Sequence, residues 1–245
     1  QIYVGLKGNF GTVTYGSQTI IWHQYVRSAY FSDGLDSLRQ GAIRDDDMLQ
    51  WQKTYNNWKF AAAIQTEKQD GDSIDQYQVA AQYKNQNLKL QAALAADQQG
   101  ENTGNLYGFR AWYDISKSIT VSAFYHLAEE DFDLYKGNSS GNVRLVSAED
   151  TGNVGGVTGC VDEERSTAGL YGKWRQGNNQ VHARYAVNSC KIKGDVSSIK
   201  VEYIRYFSKK FRMWASLEQL DNDATRLPST GEDMSAVQLG VRFDF

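Results

Sequence analysis

The sequence has no run of apolar residues long enough for a transmembrane helix. Its uncharged apolar runs are only a few residues long, whereas a bilayer-spanning helix needs about 20. It also lacks a basic patch and a glycine-rich phosphate loop, and its formal net charge is −3. A chain of this charge provides no field that attracts nucleic acid. We therefore expect neither a helical membrane protein nor a nucleic-acid-binding one.

The residue patterns of common catalytic and metal sites are missing as well. The three histidines are scattered without ligand spacing, and neither a nucleophile elbow nor an HExxH motif occurs. The acidic run Asp45–Asp47 lacks the regularly spaced oxygen ligands of a calcium loop, so we interpret it as the solvated end of a loop. The sequence thus predicts no enzyme activity, no metal and no cofactor.

Alternation of apolar and polar residues with a period of two is present along nearly the whole chain, and it is typical of β-strands. In 180–188, for example, Val181, Ala183 and Tyr185 alternate with His182 and Arg184. We predict an all-β protein of thirteen strands, at 2–7, 12–17, 48–55, 58–66, 76–84, 88–97, 106–113, 119–127, 166–175, 180–188, 196–206, 211–220 and 235–245.

The connections between these strands alternate between very short and longer ones. The short ones are rich in Asn, Gly, Ser and Lys, and the longer ones include 67–75, 98–105 and 129–165. Tight turns at one end and long loops at the other are typical of an antiparallel transmembrane β-barrel. The strands are also about 10 residues long, as a tilted strand needs to cross a bilayer.

A soluble β-sandwich alternates in the same way, with its apolar side chains inside. Three observations favour the membrane barrel, in which the apolar side chains point outward. The apolar faces carry small residues in the middle and aromatic residues at the ends, as in an interfacial aromatic belt. The polar faces carry many Gln, Ala and Gly but few charges, unlike a typical soluble surface. The strands also exceed the usual five or six residues.

The segment 18–47 between the second and third predicted strands is too long for a hairpin connection. Its ten large apolar side chains, from Ile20 to Ile43, alternate with charges of both signs, which argues against disorder. Such a segment needs a cavity wall against which to pack. The two cysteines, Cys160 and Cys190, lie about one hairpin apart and are either two free buried thiols or one disulfide.

Several motifs resemble those of Gram-negative general porins. Residues 3–16, YVGLKGNFGTVTYG, resemble the family's strand–turn–strand signature, and Ser208–Lys210 resembles the turn that precedes one of its strands. The last six residues, GVRFDF, resemble the closing strand with its terminal phenylalanine, here Phe245. The resemblance covers the whole chain; its two end motifs are specific, and the middle agrees mainly in pattern.

The resemblance implies a 16-stranded outer-membrane barrel, a homotrimer with a periplasmic C-terminus, whose third long loop folds into the pore. Adding three strands before Gln1 moves 18–47 into that position, so we expect residues 1–245 to be a single barrel domain lacking its first three strands. Outer-membrane lipid, lipopolysaccharide and, through Phe245, the barrel-assembly machinery are the implied partners. The implied topology puts Cys160 and Cys190 at the same end of adjacent hairpins, which favours the disulfide.

In the family, acidic residues on the inward loop face basic residues on the barrel wall, and solutes cross the field between them. On the loop of this chain, Asp33 and Asp36 are the acidic candidates, and Arg39 and Arg44 are expected to neutralise them in part. Asp45 and Asp46 are expected to shape the field at the pore. Alternation predicts that the following basic residues face the lumen: Lys59, Lys89, Arg110, Lys173, Arg175, Arg184, Lys200, Arg212 and Arg242. His126 and His182 fall on the same faces and are expected to be hydrated wall residues.

The resemblance thus implies a water-filled channel for passive diffusion of small hydrophilic solutes and ions. The alternative is a substrate-selective porin with a track of aromatic side chains that stack on sugar rings. The candidates for such a track are Trp22, Tyr25, Tyr30, Phe31, Trp112, Phe124 and Trp214, which are also suited to fixing the long loop to the wall.

Overall fold

The computed structural model describes residues 1–27, 30–31, 44–66, 74, 76–97, 104–130, 164–191, 194–222 and 234–244. They form thirteen β-strands and one π-helix, His23–Arg27. The strands are β1 Ile2–Gly8, β2 Gly11–Thr19, β3 Arg44–Tyr55, β4 Trp58–Gln65, β5 Gln76–Asn85, β6 Leu88–Asp97, β7 Asn105–Asp114, β8 Ile119–Ala128, β9 Arg165–Gln176, β10 Asn179–Cys190, β11 Gly194–Tyr206, β12 Phe211–Asn222 and β13 Met234–Phe243.

All thirteen strands belong to one antiparallel sheet in which each strand pairs with its neighbours in sequence. The predicted all-β meander is therefore confirmed, with every predicted strand present. Short turns such as Asn56–Asn57 and Gly177–Asn178 lie at one end of the strands, which we call the short-turn end. Among the described residues, β1 and β13 each pair on one side only and are the edges of the sheet.

The two faces of the sheet differ sharply in chemistry. On one face, which we call the outer face, apolar side chains remain in contact with the surroundings; Leu170, Leu217 and Leu239 are 64%, 54% and 81% exposed. The opposite, inner face carries mostly polar, buried side chains, and the π-helix packs on it between β5, β6 and β7. This arrangement is the inverse of a soluble sandwich, as the alternation predicted. Within the described residues, no helix is long and apolar enough to span a membrane.

A β-bulge directs the chain from β2 toward the inner face. The register between β2 and β3 shifts between Gly16 and Gln18, and Gly16 has a φ of 129°. A Cβ atom on Gly16 would lie 2.5 Å from the carbonyl oxygen of Ile2, so both the backbone conformation and the space require glycine. Three residues later β2 ends at Thr19, and the chain turns inward.

Candidate functional site

The first part of the long loop is attached to the inner face of β5–β8. Trp22 is fully buried, and its backbone N–H donates a hydrogen bond of 2.9 Å to the Oε1 of Gln78. Its ring lies 5.1 Å from the His126 ring, and the His126 Nε2 lies 3.3 Å from the carbonyl oxygen of Val26. Side-chain packing and backbone hydrogen bonds together fix this part of the loop.

Gly108 of β7 provides the space for this attachment. A Cβ atom there would lie 2.5 Å from the Trp22 ring and 2.8 Å from a methyl group of Val26. Contacts this short require displacement of one of the two groups. The absence of a side chain at Gly108 is thus what allows the loop to approach the sheet closely.

We expect Gly108→Val to displace the loop, because overpacking of a close contact typically costs about 1–3 kcal/mol. Single-channel recordings should show a larger or more strongly fluctuating conductance than that of the unmodified protein. Gly172→Val is the matched control, since a Cβ at Gly172 meets no atom within 4 Å. Identical recordings from both variants would contradict the assigned role of Gly108.

Tyr30 forms the second attachment point of the loop. Its ring stacks on Tyr171 at 4.1 Å, and its hydroxyl lies 3.1 Å from the Ser122 Oγ. The Nε of Arg110 donates to the same hydroxyl at 3.0 Å, while the Nδ1 of His182 lies 3.0 Å from the Tyr30 carbonyl oxygen. One loop residue is therefore held by side chains of four different strands, β7 to β10.

Beside this attachment point lies a buried group of charges on β10, β11 and β12. Glu218 accepts a hydrogen bond of 3.0 Å from Arg184 and lies 3.6 Å from the Nζ of Lys200. His182 lies 3.4 Å from Glu202. Each of these side chains is less than a tenth exposed, so Glu218 and its two cationic partners interact through a medium of low dielectric constant. Phe31 covers them, with Lys200 at 4.9 Å from its ring.

An open cavity of about 770 Å³ remains between the loop and strands β1–β4. It extends along the inner face from Gln1 and Thr19 at one end to Lys7 and Lys59 at the short-turn end. Its described lining contains three lysines but neither Asp nor Glu. The lining residues are Gln1, Tyr3, Lys7, Gly8, Asn9, Gly11, Thr12, Thr14, Gln18, Thr19, Gln24, Gln50, Gln52, Lys53, Thr54 and Lys59.

Glutamine side chains form a hydrogen-bonded network along the wall of this cavity. Gln24 of the π-helix donates to the Thr19 carbonyl oxygen at 2.6 Å and accepts from Gln52 at 2.9 Å. Gln50 donates to the same carbonyl oxygen at 3.0 Å, and Gln18 donates to the Met48 carbonyl oxygen at 2.7 Å. The glutamine part of the wall is thus neutral, hydrophilic and rigidly held, which suits contact with water.

Comparison with known proteins identifies the family. A family model described as Gram-negative porin matches residues 1–225. The chain belongs to the Gram-negative porin family. A search of curated proteins gives no significant match. The family places the chain in the Gram-negative outer membrane as a β-barrel channel protein.

Solved structures of bacterial porins share the fold of this porin. The anion-selective porin from Comamonas acidovorans has a TM-score of 0.72 at 18% identity, over 99% of this chain and 77% of that one. The Salmonella typhi OmpF complex with daunomycin has a TM-score of 0.69 at 16% identity, over 98% of this chain and 76% of that one. A loop L8 deletion mutant of Vibrio cholerae OmpT has a TM-score of 0.67 at 14% identity, over 98% of this chain and 78% of that one.

The structure places the predicted wall residues of this porin in two groups. Arg110, Arg184 and Lys200 lie in mid-strand and contact Tyr30 or Phe31 of the inward loop. The others lie toward the short-turn end: Lys59, Lys89, Lys173, Arg175, Arg212 and Arg242. Of these, Lys59 lines the open cavity, whereas Arg242 is exposed and paired with Asp244. The predicted wall residues are therefore divided into those that contact the loop and those that lie closer to the short-turn end; their role in selectivity stays a prediction.

The predicted loop residues have different outcomes. Asp33, Asp36 and Arg39 lie outside the described residues. Arg44, Asp45 and Asp46 belong to β3, so the loop is shorter than 18–47 at both ends. Asp45 is not solvated: its side chain is buried and accepts a hydrogen bond of 2.9 Å from Gln65. Pairing of Gln18 with Asp45 and of Thr19 with Arg44 across the bulge extends both strands.

The prediction that His126 and His182 are hydrated wall residues is wrong. Both lie on the inner face, but they are only 0% and 5% exposed because the loop covers them. Each lies within hydrogen-bonding distance of a loop carbonyl oxygen, Val26 or Tyr30. Alternation predicted that both histidines lie on the inner face, but not that the loop packs over them. Alternation likewise places the glutamines of the cavity wall on the inner faces, but it does not reveal the hydrogen bonds that connect them.

Cys190 is disulfide-bonded in the structure. The only other cysteine of the chain, Cys160, lies outside the described residues. The pairing of Cys160 with Cys190 stays a prediction.

Proposed function

We propose that this porin forms a water-filled channel for passive diffusion of small hydrophilic solutes and ions. The observation that supports this most directly is the polar cavity of about 770 Å³ between the inward loop and β1–β4. It extends along the strands from one end to the other and is lined by hydroxyls, amides and ammonium groups. A hydrophilic cavity of this kind suits hydrated solutes of many shapes.

Recordings from planar bilayers containing the purified natural protein test this proposal. We expect stepwise conductance that increases in proportion to the salt concentration. Liposomes containing the protein should swell in solutions of small sugars, at rates that decrease with sugar size. Absence of conductance steps from a correctly folded protein would overturn the proposal.

We propose that opposed charges set the ion selectivity, with Asp33 and Asp36 of the loop facing the basic wall. The described charges around the cavity, Lys7, Lys53 and Lys59, add a positive contribution. A channel lined by one sign of charge concentrates the opposite ion. This supports a preference for anions, and the structurally similar Comamonas acidovorans porin is described as anion-selective.

We expect Lys59→Gln to reduce the preference for anions, because it removes one positive charge from the cavity while keeping a polar side chain. The reversal potential in a potassium chloride gradient should move toward the value for potassium. Lys117→Gln is the control, since Lys117 is exposed in a turn and does not line the cavity. If the reversal potential of Lys59→Gln shifted no more than that of Lys117→Gln, Lys59 would have no specific effect on permeating ions.

The alternative is a channel selective for oligosaccharides. It requires aromatic faces that are accessible from the cavity, whereas Trp22, Tyr25, Tyr30 and Phe31 are 0%, 2%, 7% and 5% exposed. Their burial supports a role in fixing the loop. Block of the ion current by a sugar in a concentration-dependent manner would favour the alternative.

We propose that the chain functions as a homotrimer in contact with outer-membrane lipid and lipopolysaccharide. The C-terminus would then lie on the periplasmic side, and Phe245 would be recognised by the barrel-assembly machinery. A trimer form of Vibrio cholerae OmpT is among the structures that share the fold. Electrophoresis of the unheated protein should show a trimer band that converts to a monomer band on heating.

A further inference from the structure

The ring of Trp214 on β12 lies flat against the inner face of the sheet, toward the short-turn end. Its register partner on β13 is Gly240, where a Cβ atom would clash with the ring carbons Cζ2 and Cε2 and lie 2.8 Å from Cη2. The six-membered ring therefore occupies the space that a side chain of residue 240 would fill. Since Trp214 is only partly buried, the opposite side of its ring faces the lumen.

Two arginines lie directly opposite each other beside this ring. Arg212 and Arg242 are paired in the sheet register, one inner-face position closer to the short-turn end than Trp214. Like charges at directly opposite positions destabilise a sheet. Arg242 donates a hydrogen bond of 2.7 Å to Asp244, whereas the Nε of Arg212 is buried without a hydrogen-bond partner among the described residues. Asp244 thus compensates only one of the two charges.

Further aromatic and cationic groups lie next to the arginine pair. Tyr206 is the register partner of Arg212 on β11, and Arg175 of β9 lies 5.1 Å from the Tyr206 ring. The carboxylate of Glu202 lies further from the short-turn end and is fully buried beside His182. The exposed charge around the tryptophan ring is therefore predominantly positive.

We propose that Trp214, Arg212 and Arg242 bind small planar aromatic carboxylates that enter the channel, an inference that rests on the proposed function. The indole face provides a surface for stacking, and guanidinium groups bind a carboxylate through paired N–H donors. Residues two apart on one face of a strand are separated by about 7 Å, a distance that an arginine side chain spans. One molecule can thus stack on the ring while its carboxylate lies between the two guanidinium groups.

The combination of a flat ring and two cations determines which solutes the site prefers. Chloride and acetate are attracted by the same positive charge, but they have no flat surface that stacks on indole. A neutral sugar can contact the ring but gains nothing from the charges. Favourable ring geometry adds about a twofold to tenfold gain in affinity to that from the charge. A planar ring that carries a carboxylate uses both contributions.

Block of the chloride current by benzoate tests this proposal. Planar bilayers contain the natural protein at a fixed chloride concentration, and sodium benzoate or sodium cyclohexanecarboxylate replaces sodium acetate at constant ionic strength. Both carboxylates carry one charge on a six-membered ring, but only benzoate is planar. We expect half-block by benzoate at a concentration about twofold to tenfold lower than by cyclohexanecarboxylate.

Variants separate the contribution of the ring from that of the charges. Trp214→Leu should remove the difference between the two carboxylates, while Trp214→Phe should retain part of it. Trp174→Leu is the matched control, because Trp174 is 41% exposed on the outer face of β9 near the short-turn end. Arg212→Gln should weaken block by both carboxylates by a similar factor. Each block is expressed relative to the chloride current of the same variant.

Saturation-transfer NMR of the detergent-solubilised protein detects bound benzoate without any ion current. Transfer to the benzoate protons should decrease in Trp214→Leu and persist in Trp174→Leu. This transfer without conductance steps would mean that the channel proposal fails while the site stands. Equal block by the two carboxylates in the natural protein would overturn the site, and so would an equal loss of saturation transfer in both tryptophan variants.

Discussion

Tyr30→Ala is expected to detach the second part of the inward loop from the barrel wall. The substitution removes the stacking on Tyr171, the hydrogen bonds to Ser122 and Arg110, and the contact with Phe124. Truncation of a buried aromatic residue typically costs about 3–5 kcal/mol. Since 1.4 kcal/mol corresponds to a factor of ten, the detached state should become about a hundredfold to several thousandfold more populated.

The expected readout is a higher single-channel conductance with frequent transitions between levels. Swelling assays should admit larger sugars than the unmodified protein does. Tyr185→Ala is the control, because Tyr185 is 51% exposed on the outer face and does not touch the loop. Tyr30→Phe should have an intermediate effect, since it keeps the stacking and loses the hydroxyl. Unchanged conductance in Tyr30→Ala would refute the anchoring role of this residue.

Glu218→Gln is expected to destabilise the barrel and to strengthen its preference for anions. The substitution removes the negative charge that lies between Arg184 and Lys200, at 3.0 and 3.6 Å. Removal of one partner from a buried ion pair typically costs about 3–5 kcal/mol, because the remaining charge loses its compensation. The shape of the side chain is preserved, so the loss is electrostatic rather than one of packing.

Urea unfolding of the reconstituted protein measures the stability, and the reversal potential in a salt gradient measures the selectivity. Glu130→Gln is the matched control, because it removes the same charge at an exposed position. An exposed charge contributes about 0–1 kcal/mol, so the control should unfold like the unmodified protein. Equal stability of the two variants would mean that Glu218 does not compensate the buried cations.

The strands and their faces were predictable because a period of two is a strong local signal. Every predicted strand is present; 76–84, for instance, is β5, Gln76–Asn85. The inverted polarity of the sheet was also readable, since the polar faces carry glutamines rather than the charges of a soluble surface. Both properties depend only on side chains a few positions apart.

The start of β3 was not predictable in this way. Arg44–Asp47 contains four successive charged residues and no alternation. These residues join the strand because they pair with Gln18 and Thr19 after the bulge, which is a contact between distant parts of the chain. Asp47 moreover has a φ of 53°, a conformation uncommon in strands.

The candidate site was predictable in its composition but not in its arrangement. Alternation places Arg110 and Arg184 on the inner face, as observed. It does not reveal that Tyr30 and Phe31 cover them, or that the open cavity lies on the opposite side of the loop, along β1–β4. That division depends on where the described part of the inward loop packs, and no local pattern encodes it.

The division of the charges by the loop has a consequence for ionic strength. Lys7 and Lys59 face the open cavity, where mobile ions screen charges over about 10 Å at 0.1 M salt. Arg184, Lys200 and Glu218 are shielded from those ions by burial, so salt weakens their attraction far less. Increasing salt concentration should therefore reduce the discrimination between ions while leaving the loop in place. Selectivity and pore size thus differ in how strongly they depend on the salt concentration.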